Sequence, residues 1–119
     1  MSLVPDTAGA QAFLVLGATD MRKAIDGLAL LVSDHLDRDP LSGALYVFCN
    51  RSRTIIKILY WDRNGFCLWQ KRLERHRFHW PASEAEVLEL RPRQLAWLLD
   101  GLDPSQVRSH PELHFSTIS

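Results

Sequence analysis

The sequence is poor in several of the features that most readily announce a function. Lysine and arginine number 14 and aspartate and glutamate number 14, so the formal net charge is zero. That balance excludes a uniformly basic nucleic-acid coat or an acidic tail protein, whose partners are gathered by the field of the whole molecule. Only two cysteines are present, Cys49 and Cys67. They have neither zinc-finger spacing nor a disulfide framework around them, and they read as two buried thiols in a reducing cytoplasm. No apolar run approaches the roughly 18 residues of a membrane span. The first dozen residues lack a basic start followed by an apolar block, so no secretory signal is expected and the protein reads as cytoplasmic.

Catalytic signatures are equally scarce. The acidic residues Asp20, Asp26, Asp62 and Glu74 are scattered over expected caps, helix faces and turns, which does not suggest a carboxylate–metal nuclease. His76 and His79 stand three apart, with no further ligands at recognisable metal spacing. There is no G-x-S-x-G elbow, and Gly17 and Gly27 frame no phosphate loop. The residues call for no enzyme activity, no metal and no cofactor.

What is present is a core-forming composition. Of 119 residues, 46% are hydrophobic and 24% charged, and there are four Trp and five Phe. These values belong to a folded globular chain, and the length suits a single domain, 1–119, with an ordered core over about 13–103. The neutral total also hides an asymmetry. Residues 51–81 carry eight basic groups (Arg51, Arg53, Lys57, Arg63, Lys71, Arg72, Arg75, Arg77) against Asp62 and Glu74, a net of +6, while the segments on either side each sum to −3. A local basic patch can hold phosphates even when total charge is nil.

Apolar spacing outlines the elements. Residues 13–16 form a short apolar run ended by Gly17, which reads as extended. Thr19 and Asp20 offer N-cap oxygens to a helix whose apolar face is Met21, Ile25, Leu28, Ala29, Val32 and Leu36, stopping before Asp39-Pro40. Residues 44–49, 54–61 and 66–73 read as a three-strand meander, the last two joined through Asn64-Gly65. Alternation puts Ile56, Ile58, Tyr60, Cys67, Trp69, Lys71 and Leu73 on one face, and Lys57, Leu59, Trp61, Phe66, Leu68, Gln70 and Arg72 on the other. The long helix is expected to cover the first face, leaving Trp61 and Phe66 on the second for a partner or a twin subunit. Val87 to Leu90 suits a short strand. Pro92, Leu95, Leu98, Leu99 and Gly101 outline a short C-terminal helix. The fold class expected is therefore α+β: an antiparallel meander packed against one long N-terminal helix, with a short C-terminal helix.

The residues that point to a partner are the basic, aromatic stretch 71–80 and the basic turn 50–53. Arg51, Arg53, Lys57, Lys71, Arg72, Arg75 and Arg77 are candidates for phosphate contact, and the interleaved Phe78 and Trp80 for stacking on bases or ribose. The same pattern also fits core aromatics with a solvated rim of cations.

Several ordered blocks resemble one family. Thr19-Asp20-Met21-Arg22-Lys23 followed by Asp26-Gly27-Leu28, then Lys57-Ile58-Leu59-Tyr60-Trp61-Asp62, Gly65-Phe66-Cys67-Leu68-Trp69, Lys71-Arg72-Leu73-Glu74, Arg77-Phe78, Trp80-Pro81 and Gln94-Leu95-Ala96-Trp97-Leu98-Leu99-Asp100-Gly101 resemble the Orf2-like, TnpB-type accessory proteins of insertion-sequence-66 elements. The resemblance runs from about residue 13 to 103. It implies a bacterial mobile element, a role in DNA transposition beside a separate transposase and another accessory protein, and no membrane. Between the first two meander strands, where relatives often have Gly or Arg clusters, this chain has only Asn50-Arg51-Ser52-Arg53-Thr54. Two functions follow as expectations: DNA binding through the basic segment, or a protein adaptor that binds the transposase without DNA. The open sheet face allows a homodimer.

Overall fold

The computed structural model describes residues 10–104. Its centre is a five-stranded mixed sheet built from β1 (Ala12–Val15), β2 (Leu45–Cys49), β3 (Ile55–Asp62), β4 (Gly65–Arg72) and β5 (Val87–Leu90), in the order β4-β3-β2-β1-β5. β2, β3 and β4 form an antiparallel meander, and β5 runs antiparallel to β1. β1 lies parallel to β2, with Ala12 opposite Leu45 and Leu14 opposite Val47. A parallel pair needs a crossover rather than a hairpin. The crossover is α1 (Ile25–Leu30), which widens into a π-helical turn over Leu31–His35. A second helix, α2 (Pro92–Leu99), follows β5.

This corrects the expected architecture of a meander packed on one long N-terminal helix. The meander supplies three of the five strands, and the apolar runs at 12–15 and 87–90 complete the sheet. The first helix, with its π turn, starts late and is short. Asp20 does not cap it: its carboxylate accepts from the Arg22 backbone N–H at 2.9 Å and from the Arg22 guanidinium at 2.7 Å, closing a local turn. The N-cap is Ala24, with no side-chain cap. The helix ends before Asp39-Pro40, because Asp37 adopts left-handed backbone at φ 55°. Asp39 caps the turn that follows by accepting from the Leu41 N–H.

A helix covers each face of the sheet, and the faces are exchanged relative to expectation. On one side Leu28 and Val32 of the first helix and its π turn, flanked by Met21, Ile25, Ala29 and Leu36, pack on Phe13, Val15, Tyr46, Phe48, Leu59, Phe66 and Leu68. On the other, Leu95, Leu98 and Leu99 of α2 pack on Leu14, Val47, Cys49, Ile56, Ile58 and Phe78. The face carrying Trp61 and Phe66 is thus the one α1 covers. The two rings meet edge-on at 5.1 Å, and both side chains are half-buried. The hairpin loop is Arg63-Asn64, with Asp62 opposite Gly65, two residues off the Asn64-Gly65 pairing the sequence suggests. A two-residue slip preserves which side chains share a face, so the expected alternation survives it.

α2 ends as its glycine requires: Gly101 is left-handed at φ 84°, and Leu102 N–H donates to the Trp97 carbonyl at 2.9 Å. The two helices bury comparable fully enclosed leucines, so Leu28→Ala and Leu98→Ala are each expected to lower stability by about 2–5 kcal/mol. Urea unfolding followed by both tryptophan fluorescence and far-UV circular dichroism tests this. Coincident, equally shifted transitions are expected, and a near-neutral Leu98→Ala would contradict a core on the α2 side.

Candidate nucleic-acid interface

The meander's loops decide which cations face solvent. The β2–β3 loop is organised by Asn50, whose side-chain oxygen accepts from the N–H groups of Thr54 and Ile55 at 2.9 and 3.0 Å, while its amide donates to Ser52 and Thr54 hydroxyls. Beyond β4 the chain turns back across the same end of the sheet. Leu73 N–H donates to the Thr54 carbonyl at 2.8 Å and Phe78 N–H to the Arg53 carbonyl at 2.7 Å. The Phe78 ring is only 3% exposed and sits in the core under α2. A strap, residues 73–80, is therefore fastened to the Arg53 loop. Thr19 N–H donates to the Cys49 carbonyl, which brings the segment after β1 to the same end.

The seven predicted phosphate contacts separate into two groups. Arg51, Arg53, Arg75 and Arg77 come from the loop and the strap, at one end of the sheet; three are exposed and Arg53 is half-buried. Among the described residues no carboxylate lies within ion-pair distance of any of the four. Arg53 and His76 hold left-handed backbone, at φ 64° and 66°, which turns the loop and the strap sharply at this rim. Arg53 also braces the loop, its guanidinium 3.5 Å from the Gly17 and Asn50 carbonyls.

The remaining three are engaged elsewhere. Lys57 is 8% exposed, and its ammonium donates to the Met21 and Lys23 carbonyls, both at 2.8 Å, fixing the turn before α1. Lys71, on the opposite face, donates to the Leu99 carbonyl at 2.7 Å and so satisfies the C-terminus of α2, where a cation also meets the negative end of the helix dipole. Arg72 pairs with Glu74 at 3.2 Å. Arg63, at the far hairpin tip, lies 3.7 Å from Asp62.

The aromatic half of the pattern is mostly internal. Phe78 is core, and Trp80 is half-buried, with its indole N–H enclosed and without a hydrogen-bond partner among the described residues. Trp80, His79, Pro81, Leu88, Leu90 and Gln94 line a cleft of about 480 Å³ beside the rim. The sequence marks 50–53 as a basic turn but not the part Asn50 plays in closing it; an Asn in a turn between strands, where its side chain folds back on its own backbone, is the signal for that role.

No group of three or more His, Cys, Asp or Glu among the described residues is placed to hold a metal ion. Burial pushes the Cys49 thiol up to about 11, although Arg53 works against the shift. Cys67 is half-buried rather than buried. The Arg22 side-chain and backbone hydrogen bonds hold the Asp20 carboxyl down at about 2. Its folded value is depressed, so its contribution to stability is present above the ordinary carboxylate range and lost as pH falls towards 2. No helix among the described residues is long and apolar enough to cross a membrane.

Two outcomes follow. Lys57→Met and Lys71→Met leave carbonyls without their donor, and each is expected to lower stability by about 1–3 kcal/mol, measured by chemical denaturation; unchanged midpoints would contradict the clamping role. Cys49 is expected to stay unmodified by a thiol reagent at pH 8 while the fold is intact, and rapid native-state labelling at Cys49, read by mass spectrometry, would contradict its burial.

Comparison with known proteins places these features in a family. The family model for IS66 Orf2 like protein matches residues 10–109. Two similar proteins of Sinorhizobium fredii carry no assigned function: uncharacterized protein y4hO is 40% identical over 85% of this chain and 88% of its own length, and uncharacterized protein y4jC is 28% identical over 92% and 93%. No solved structure matches. With the family model spanning the whole described sheet and both helices, the chain belongs to the IS66 Orf2-like family, the accessory proteins of IS66 insertion sequences.

Proposed function

We propose that this protein supports transposition as a non-catalytic subunit that holds DNA by its phosphates, working beside the element's transposase. The observation that carries the reading is the fastening of the strap to the Arg53 loop through the Phe78 N–H and the buried Phe78 ring. It gathers Arg51, Arg53, Arg75 and Arg77 from two separate chain segments onto one rim. Arginine is suited to phosphate oxygens because its planar fork offers several donors at fixed geometry. With Phe78 internal, base stacking from this segment is limited to Trp80, so contact is chiefly to the backbone and weakly dependent on sequence.

Binding of this kind is strongly salt-dependent. Each neutralised phosphate contributes about −0.9 to the slope of log affinity against log salt, so four arginines give a slope of roughly −3 to −4. Fluorescence anisotropy of a labelled element-end duplex and a scrambled duplex, at several salt concentrations, measures it. The variant with Arg51, Arg53, Arg75 and Arg77 all changed to Ala is expected to bind weakly with a shallow slope, whereas Arg63→Ala is expected to behave as wild type. Absence of wild-type binding at low salt would overturn the proposal. Recovery of the transposase with this chain in the absence of DNA would then support the adaptor reading.

A further inference from the structure

We propose that β4 is a self-association strand, and that a second copy of this chain adds to the sheet antiparallel to it, about a two-fold axis at Trp69. This rests on the sheet edge alone and is independent of the DNA reading.

The phase of the ladder shows which backbone groups of β4 point outward. Leu73 N–H donates to the Thr54 carbonyl, and in an antiparallel pair hydrogen-bonded positions recur every second residue. With Tyr60 opposite Cys67 and Ile58 opposite Trp69, the backbone groups of Cys67, Trp69 and Lys71 bond inward to β3. Those of Phe66, Leu68, Gln70 and Arg72 point away from it. β4 is an end strand, and no described element bonds to these outward groups.

The two edges of the sheet differ. β5 has four residues, and the Leu16 N–H to Glu86 carbonyl bond fixes Val87 and Glu89 as its outward positions. It is short, bears a carboxylate at an outward position and is bordered by Glu84, Glu86 and Arg91, the usual means of blunting an edge. β4 has eight residues, GFCLWQKR, with no charge and no proline before Lys71. An edge with six consecutive uncharged residues, whose one outward charge, Arg72, stands at its last position, is a template for another strand.

Its own sequence fits that role. With the axis at Trp69, Phe66 pairs with Arg72 of the second copy and Leu68 with Gln70 of the second copy. Every outward group is then used, in about eight hydrogen bonds. The two Trp69 side chains meet at the closely spaced, non-bonded position, where aromatic pairs stabilise a sheet, and Phe66 receives a cation. The hairpin tip of one copy lies beside the start of the other's strap, with Asn64 in register with Glu74 of the second copy. Other registers leave outward groups unpaired.

Sedimentation equilibrium of the full chain over a wide concentration range tests the proposal. Wild type is expected to dimerise. Gln70→Pro removes an outward donor from each copy and leaves the β3 ladder intact, since proline is tolerated on an edge where its nitrogen faces solvent. It is expected to weaken the dimer about tenfold or more. Gln70→Lys sets like charges across the axis, needs no backbone change and is expected to weaken it as well. Glu89→Pro, at an outward position of the opposite edge, is expected to leave the dimer unchanged. Far-UV circular dichroism reports whether each variant folds. A wild type that stays monomeric at the highest concentration, a dimer indifferent to both Gln70 variants, or one lost only with Glu89→Pro would overturn the assignment.

Discussion

β1 and β2 run side by side in the same direction at the middle of the sheet, and strands so arranged cannot be joined by a tight turn. The chain between them must leave the sheet, cross one face and return, and α1 does so. That crossing commits one face to Leu28 and Val32 and leaves the opposite face for the leucines of α2. It also fixes the ends. β2 delivers its C-terminus beside that of β1, where Thr19 bonds to Cys49, and the β2–β3 loop begins there. The rim of arginines stands at this end because the parallel pair aligns it.

Cations divide according to whether backbone carbonyls lie within their reach. Lys57 and Lys71 sit in strands on opposite faces of the sheet, and each reaches a helix terminus or the turn that leads into it. Buried carbonyls are costly without a donor, and a flexible ammonium with three donors suits irregular backbone. The arginines of the loop and the strap stand at the rim, where Arg53 reaches the Gly17 and Asn50 carbonyls at 3.5 Å and Arg51, Arg75 and Arg77 are exposed. A basic segment of +6 in the sequence thus becomes two internal clamps, two local ion pairs and four rim cations. Both sheet faces are covered by helices, so the part of the adaptor reading that relied on an open apolar face loses its support.

The locally encoded parts of this arrangement were readable in the sequence. Alternation in 54–61 and 66–73 separated the faces correctly, and a two-residue slip at the hairpin left that separation intact. Pro92, the leucine spacing and Gly101 outlined α2. What escaped was non-local. Nothing near residue 13 announces that it pairs with residue 46, more than thirty positions away, nor that Val87–Leu90 closes the other side of β1. Asp20 looked like a helix cap because Asp commonly is one; the guanidinium two residues on captured it instead. Lys57 and Lys71 looked like phosphate ligands because charge is visible in a sequence and burial is not. Of the candidate site, the positions in loops were legible as surface, whereas those in strands required knowing where the helices lie.

If the loop and the strap form one DNA-facing rim and the strand lysines take no part in it, both segments respond to DNA together. Titration of the ¹⁵N-labelled protein with a short duplex, followed by amide chemical shifts at low salt, tests it most directly. The largest perturbations are expected over residues 51–53 and 75–79, from both segments at the same DNA concentration, with Lys57 and its neighbours in β3 unmoved. Perturbations confined to one segment, or centred on α1 or β5, would contradict it.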